Sequence, residues 1–342
     1  MVGNPEWMKL GEPDPQFVAF MKKGGPMVAA APTTSLPERR AFFKRMKKAS
    51  NEKSFPNNDG LVIEESFISA RDGHQIPIRT YKPSQHPSTG SPLVVLFHGG
   101  GFTLGDLESE EGTCRSFCLQ LGCTVVNVEY RLAPENPFPI PVNDAYDAVK
   151  WAAANASKLG ASPSAGFLLG AISSGANLAV VSATLARDDG MSPPLTGLWL
   201  AAPSVLSMKN PPAHLVPELQ SFEQCKNSPV LNSESWKTML ESYKPDETSR
   251  LFNLYSETDP VSRAGLPPLY LQVCGMDLFR DEELCFEREL REEHGTKTKL
   301  QVYSGLPHGF WTFFPELGMT DRWARDTLDG MRWLLEVGRQ EK

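Results

Sequence analysis

Short, continuous apolar runs alternate with longer amphipathic segments over most of the chain, and this alternation constrains the fold more than any other feature. Runs of only four or five residues that are mostly apolar are typical of strands buried on both faces of a parallel sheet. Six such runs occupy residues 93–97, 124–128, 167–170, 198–201, 269–273 and 300–303.

The segments between most of these runs have apolar residues at three- and four-residue spacing, which is typical of helices with one buried face. They occupy residues 143–154, 175–187, 281–293 and 323–337. Upstream, an alternating run at 61–69, an Asp72-Gly73 turn and a second run at 76–81 predict an antiparallel hairpin. The sequence therefore predicts an α/β protein whose mostly parallel central sheet carries helices on both faces.

Two proline-rich stretches, at residues 1–58 and 204–263, do not follow this alternation of predicted strands and helices. The first precedes the sheet and the second interrupts it after a strand, so both can cover the carboxyl edge of the strands, where open α/β sheets bind ligands. We expect them to form one helical cap in two parts. The core then comprises residues 59–203 and 264–342.

The charge balance argues against a nucleic-acid partner. The chain has 34 Lys and Arg residues against 41 Asp and Glu residues, a formal net charge of −7, whereas phosphate binding needs a clustered positive field. One basic run lies among aromatic residues at helical spacing. We interpret it as a solvated helix face, although a helix lying on a membrane surface has the same pattern. Its members are Arg39, Arg40, Arg45, Lys47 and Lys48.

No stretch of the sequence is long and apolar enough for a membrane span, and residues 1–10 lack a basic start followed by an apolar run. We expect a cytoplasmic protein without stable membrane insertion. The six cysteines form no CxxC pattern, and a cytosolic setting would keep them reduced. No metal site is predicted.

The apolar run at 167–170 leads directly into a serine that is followed by a helical pattern. A tight strand-turn-helix connection that exposes a nucleophilic serine needs small residues two positions before and two positions after it. Ala171 and Gly175 meet this requirement around Ser173. Taken alone, the same pattern also fits a serine that only caps a helix.

A run of glycines follows the strand at 93–97, where it would otherwise be a flexible loop. His98, Gly99, Gly100 and Gly101 form an HGGG motif, and such a loop combined with a downstream serine turn builds the oxyanion hole of lipases and esterases. The expected donors are the N–H groups of Gly100, Gly101 and Ser174, the residue after the nucleophile. His98 and Gly99 are expected to support the loop.

Chain order narrows the choice of base and acid, because in this fold the serine comes first, the acid second and the histidine last. His214, His294 and His308 all follow Ser173, but only His308 lies in a loop just after a late strand. Asp277 follows the preceding strand. The competing carboxylates, Asp281 and Glu282, suit the N-terminal turn of the next helix, where they offset the helix dipole.

These motifs resemble the hormone-sensitive-lipase-like esterases, the HGGG or family IV carboxylesterases of the α/β-hydrolase superfamily. The resemblance rests on the HGGG loop, the run at 129–139 that contains YRLAPE, Asp144, the Ser173 turn, the Asp277 segment and the run at 306–310. It implies an α/β-hydrolase fold, a helical cap, a small-molecule ester substrate, an acyl-enzyme intermediate and no cofactor.

The serine turn departs from the GDSAGGN pattern usual in this family, because Ile172 occupies the position of the aspartate. This change puts in doubt the polar support that the aspartate normally gives to the turn. With this change and its large cap, the chain resembles fungal members of the family that remove acyl groups from secondary metabolites.

Two other functions stay open. The same fold resembles the plant gibberellin receptors, which bind a ligand without turnover, but those receptors replace the base that His308 supplies here. An acyltransferase, lactonase or cyclase acting on a natural product would use the same three residues. The physiological substrate, its acyl length and the oligomeric state, including a possible homodimer, stay open at this level.

Overall fold

The protein is described from a computed structural model that covers residues 4–25, 35–85, 87 and 90–340. Residues 1–3 and 26–34 of the predicted cap segment, and His86, lie outside the described residues.

Eight strands form one sheet in the order β1-β2-β4-β3-β5-β6-β7-β8. The strands are β1 (Leu61–Ser69), β2 (Gln75–Pro83), β3 (Leu93–Phe97), β4 (Thr124–Val128), β5 (Phe167–Ile172), β6 (Gly197–Ala201), β7 (Leu269–Met276) and β8 (Thr298–Pro307). β2 pairs antiparallel with β1 and β4, and the pairs from β4 through β8 are parallel. The α/β class and the mostly parallel sheet are therefore confirmed.

The helices of the core follow the predicted alternation, but two helices outside the segments 1–58 and 204–263, α4 and α10, were not among the predicted segments. They are α1 (Pro5–Leu10), α2 (Pro15–Lys22), α3 (Leu36–Ser54), α4 (Glu111–Leu121), α5 (Ile140–Asn155), α6 (Ser174–Asp188), α7 (Ser221–Gln224), α8 (Ser233–Tyr243), α9 (Arg280–Glu292), α10 (Phe310–Phe313) and α11 (Gly318–Gln340). The buried face of α4 is built partly from Cys114 and Cys118, which a hydrophobic pattern of aliphatic residues does not reveal.

The sheet separates two apolar cores. One contains side chains of α5, α6 and α9, and the other contains side chains of α4 and α11. Burial of a large apolar side chain contributes about 2 kcal/mol, so covering both faces explains why the central strands are mostly apolar. With both faces covered, the carboxyl ends of the parallel strands form the open edge of the sheet.

The N-terminal helices lie against the carboxyl ends of β7 and β8. The N–H group of Asp14 donates to the carbonyl oxygen of Gly305 at 3.0 Å. The Phe17 ring packs edge-on against Phe314 with 5.1 Å between centroids. The segments at 1–58 and 204–263 also meet, because Nε2 of Gln224 donates to the carbonyl oxygen of Met8 at 2.8 Å.

Two carboxylates in the first turn of α9 hold the segment 204–263 to the core. Asp281 accepts hydrogen bonds from the N–H groups of Gln220 at 2.7 Å and Ser221 at 2.6 Å. Glu282 accepts from the N–H group of Val205 at 2.6 Å. Both side chains occupy the N-terminal turn, as predicted, but they are buried against this segment.

The burial of Glu282 makes stability depend on pH. Burial raises the pKa of Glu282 to about 8, so the unfolded chain ionises this carboxyl from near its ordinary pKa upward while the folded chain keeps it neutral. The unfolded state then binds fewer protons, and this group lowers the free energy of unfolding by about 1.4 kcal/mol per pH unit in that window.

We therefore expect Glu282→Gln to flatten the fall in unfolding free energy between pH 5 and 8, measured by urea unfolding at several pH values. Glutamine retains a carbonyl oxygen that accepts from Val205 but cannot ionise. Glu287→Gln is the matched control, because that carboxylate on the same helix is ion-paired with Arg291 at 3.0 Å. Parallel pH curves for Glu282→Gln and the wild type would contradict the argument.

Candidate active site

Ser173 lies at a sharp turn between β5, which ends at Ile172, and α6, which begins at Ser174. Its backbone has φ 54° and ψ −123°, a strained conformation for a residue other than glycine. A Cβ atom at Gly175 would lie 2.4 Å from the carbonyl oxygen of His98, so this position requires glycine. The small residue that the sequence motif predicted there is thus a requirement of packing.

His308 and Asp277 follow the neighbouring strands β8 and β7 and meet Ser173 at the carboxyl edge of the sheet. Nε2 of His308 lies 2.8 Å from Oγ of Ser173, and Nδ1 lies 2.5 Å from Oδ2 of Asp277. Asp277 is completely buried, and its Oδ1 accepts from the N–H group of Phe279 at 3.2 Å. The structure therefore brings together the serine, histidine and aspartate named from the sequence.

The competing residues lie elsewhere. Asp281 and Glu282 bind backbone amides of the segment 204–263, as described above. Nε2 of His294 lies 3.2 Å from Glu289, just beyond the end of α9, and His214 is exposed to solvent.

The glycine loop adopts conformations that side chains would obstruct. Gly100 has φ 130° and Gly101 has φ 60°. A Cβ atom would lie 2.2 Å from the carbonyl oxygen of Leu104 at Gly100, and 2.2 Å from Sδ of Met239 at Gly101. The loop therefore passes close to Met239 of α8, which a chain with side chains at these positions could not do.

His98 is buried beneath this loop and is held in one orientation. Its Nδ1 donates to the carbonyl oxygen of Gly99 at 2.8 Å, and its ring stacks on Tyr130 with 4.3 Å between centroids. The Tyr130 hydroxyl donates to the carbonyl oxygen of His98 at 2.8 Å. Burial lowers the pKa of His98, so the imidazole is neutral near neutral pH.

An ion pair that is largely buried joins the YRLAPE run to α5. Arg131 donates to Asp144 from Nη2 at 2.6 Å and from Nε at 2.9 Å. Asp144 is completely buried at the start of α5. This pair explains structurally why the run and Asp144 occur together in the motif set.

Arg40 of α3 ties the N-terminal segment to both runs. Its Nε donates to the carbonyl oxygen of Thr103 at 2.8 Å, and its Nη2 donates to that of Ala133 at 2.7 Å. It also forms an ion pair with Glu135 at 2.8 Å. The interpretation of the basic run as a purely solvated face is therefore wrong for Arg40, because this face of α3 docks on the core; Arg45 and Lys48 are exposed.

A cavity of about 150 Å³ opens at Ser173. Its walls come in part from the HGGG loop and from the segments 1–58 and 204–263. From the segment 1–58, the lining includes Phe43 and Lys47 of α3. From the segment 204–263, it includes Val230, Leu231, Trp236 and Met239. The other lining residues include Glu110, Ile172, Thr312 and Phe313. Ile172 thus contributes an apolar wall where the motif usually has an aspartate.

Sequence reasoning did not identify Glu110, Trp236 or Met239 as lining residues, because no motif marks them. Among the described residues, no group of three or more His, Cys, Asp or Glu side chains is arranged to hold a metal ion. In the same part of the chain, no helix has the length and apolar character that a membrane span requires.

The parallel sheet, the serine turn after β5 and the histidine and aspartate after β8 and β7 define the class of α/β hydrolases. A model of the alpha/beta hydrolase fold family matches residues 94–312. The chain belongs to this family, in the hormone-sensitive-lipase-like group that its motifs resemble.

Three known proteins illustrate the similarity. An AB hydrolase superfamily protein of Schizosaccharomyces pombe is 33% identical over 97% of this chain and 97% of its own length. The versiconal hemiacetal acetate esterase of Dothistroma septosporum is 27% identical over 87% of this chain and 88% of its own. The crystal structure of vibralactone cyclase superposes with a TM-score of 0.88 at 31% identity, covering 96% of this chain and 97% of that one.

Proposed function

We propose that this chain is a serine carboxylesterase that works through an acyl-enzyme. One observation carries the proposal: Oγ of Ser173, the imidazole of His308 and the carboxylate of Asp277 form a continuous hydrogen-bonded chain with contacts of 2.8 and 2.5 Å. Carboxylic-ester hydrolysis is also the activity named for its esterase relative.

In this mechanism, Oγ of Ser173 attacks the ester carbonyl carbon while Nε2 of His308 takes the hydroxyl proton. The tetrahedral intermediate collapses, the ester C–O bond breaks, and His308 returns the proton to the leaving alcohol. Water then repeats the sequence on the acyl-serine and releases the acid. Asp277 holds the Nδ1–H tautomer and stabilises the imidazolium that forms in each half.

The N–H groups of Gly100, Gly101 and Ser174 are the proposed donors to the oxyanion. The positive φ angles of Gly100 and Gly101 support this role, because consecutive glycines in such conformations allow successive backbone N–H groups to point at one spot. Ser174 is the first residue of that helix, so its amide lies where the helix dipole favours negative charge. His98 and Gly99 are proposed to support the loop through the hydrogen bond between them.

A second candidate is transfer of the acyl group to a hydroxyl acceptor, as in an acyltransferase or a cyclase that forms a lactone. The similarity to vibralactone cyclase favours it. The first half-reaction is the same in both cases, and the outcome depends on whether water or another hydroxyl reaches the acyl-serine. The apolar walls built by Ile172, Val230 and Leu231 bear on that competition, because they limit the water near Ser173.

The proposed chemistry can be tested with p-nitrophenyl esters from acetate to decanoate under stopped flow. We expect a burst of p-nitrophenol close to one equivalent per chain and labelling of Ser173 by a fluorophosphonate, located by peptide mass. Added butanol separates the two candidates, because butyl ester formation that exceeds acid release favours transfer. Steady hydrolysis without labelling of Ser173 would contradict the acyl-enzyme.

We further propose that segments 1–58 and 204–263 act as one cap over this site. The support is that Phe43 and Lys47 from the first segment, and Trp236 and Met239 from the second, line the same cavity. We also propose a cytoplasmic location, supported by six free, buried cysteine thiols.

A further inference from the structure

The cavity at Ser173 has two chemically different parts. Most of its wall is apolar, with Leu104, Ile172, Val230, Leu231 and Met239 among the lining residues. Two charged side chains, Glu110 and Lys47, interrupt this wall. Neither belongs to the proposed catalytic machinery.

Glu110 differs from the other acidic residues of its segment. Glu108 and Glu111 are both ion-paired with Arg79, at 2.8 and 2.9 Å. Glu110 precedes α4 at the N-cap position, but its side chain makes no capping hydrogen bond. Within the described residues its carboxylate accepts one hydrogen bond, from Oγ1 of Thr113 at 3.2 Å.

The surroundings of Glu110 disfavour the charged form of its carboxyl group. Glu110 is only 8% exposed, and burial raises its pKa, although the positive charge of Lys47 and the Thr113 hydroxyl partly offset the effect. A buried carboxylate with one weak hydrogen bond reduces stability. Its position in a ligand cavity therefore points to a partner that arrives with the substrate.

Lys47 reaches the cavity because of its place on α3. Phe43 and Lys47 are one helical turn apart and share a face, and the Phe43 ring contacts Phe313 with 6.0 Å between centroids. Nδ2 of Asn51 donates to the carbonyl oxygen of Glu108 at 2.9 Å. The first contact fixes that face of α3 against α10, and the second fixes it against the segment that carries Glu110.

We propose that Glu110 and Lys47 form a subsite for a hydroxyl group carried by the apolar part of the ester. A hydroxyl donates to the Glu110 carboxylate and accepts from the Lys47 ammonium, so one neutral group satisfies both. A methyl group in its place offers neither charged group a partner, so the Glu110 carboxylate keeps only the hydrogen bond from Thr113. A cationic substrate group is disfavoured, because the Lys47 ammonium repels it and offsets its attraction to the Glu110 carboxylate.

This inference rests on the proposed esterase function and deepens it. It predicts a preference between isosteric substrates, which is tested by kcat/KM on two matched series. The alcohol-side series consists of butyrate monoesters of 4-methylphenol, hydroquinone and 4-(aminomethyl)phenol. The acyl-side series consists of p-nitrophenyl heptanoate, 6-hydroxyhexanoate and 6-aminohexanoate. Every rate is divided by the rate of hydroxide-catalysed hydrolysis of the same ester.

We expect the wild type to prefer hydroxyl over methyl by about tenfold or more in one series, because a site built to hydrogen-bond a hydroxyl rejects the analogue that lacks it. Glu110→Leu should reverse this ratio. Glu110→Gln should keep part of it, since the amide oxygen still accepts, and Lys47→Met should reduce it. Glu108→Gln is the matched control on the same segment and should leave the ratio within about twofold.

Three results would overturn the proposal. The first is a hydroxyl-to-methyl ratio near one in both series, or a ratio that Glu110→Leu leaves unchanged. The second is a wild type whose kcat/KM is higher for the ammonium substrate than for the hydroxyl substrate, together with loss of this preference in Glu110→Leu. That result would make the subsite a cation site. The third is a wild type that hydrolyses no ester and resists fluorophosphonate labelling, which alone would overturn the proposed function as well.

Discussion

Ser173→Ala is expected to lower kcat for p-nitrophenyl butyrate by about a million-fold, close to the loss produced by removing the whole group of three residues. Alanine removes Oγ, which is the proposed attacking atom and lies 2.8 Å from Nε2 of His308. His308→Ala should cost about as much. The double variant should lose nothing further, because the residues act as a unit.

The matched control for Ser173→Ala is Ser182→Ala, the same change within α6, the helix that follows Ser173. Ser182 is buried, and its hydroxyl has no hydrogen-bond partner within the described residues. Its loss should leave kcat within about twofold, because a substitution with no shared partner couples weakly to a distant site. Thermal unfolding of each variant checks that the fold is intact. A stable Ser173→Ala protein with more than one per cent of wild-type kcat would exclude Ser173 as the nucleophile.

The core of the fold could be predicted because strands buried on both faces leave a strong pattern. β3 and β4 occupy the predicted residues, whereas β7 and β8 extend further, to Met276 and Pro307. These extensions are less uniformly apolar, so hydrophobic runs do not reveal them. Asp277 and His308 directly follow these extensions, and both residues were placed by chain order within a known fold.

The lining of the cavity could not be predicted, because it depends on how α3 docks. Phe42 and Phe43 are adjacent and chemically identical, yet Phe42 is 56% exposed while Phe43 contacts Phe313 at the cavity. A helical pattern shows which residues share a face, but not which surface covers that face. The same limit applies to Lys47, whose partner segment lies far along the chain.

The buried carboxylates of α9 show a related limit. Asp281 and Glu282 were predicted in the first helical turn, and they lie there. Their burial follows from backbone amides of Gln220, Ser221 and Val205, which belong to a different segment. Local propensity explains why acidic residues begin this helix. Tertiary contacts alone decide whether they face water.

Asp277→Asn is expected to lower kcat by about ten-thousand-fold, less than Ser173→Ala but more than any substitution outside the three residues. Oδ1 of an asparagine at 277 can keep the hydrogen bond from the N–H group of Phe279, which is 3.2 Å long in the wild-type protein. Its Nδ2 then faces Nδ1 of His308, and two donors cannot pair. The imidazole must place its proton on Nε2, where it can no longer accept the proton of Ser173.

The matched control for Asp277→Asn is Asp281→Asn, because the two carboxylates are close in sequence and both accept backbone N–H groups. Asp281 binds the amides of Gln220 and Ser221 and lies away from His308. Its substitution should therefore lower the unfolding temperature while changing kcat by only a few-fold. Single-turnover acylation by p-nitrophenyl butyrate, followed beside thermal unfolding, separates these effects. If Asp281→Asn lost the acylation step while Asp277→Asn kept it, the acid that orients His308 would be Asp281, and the short contact between Asp277 and His308 would be structural only.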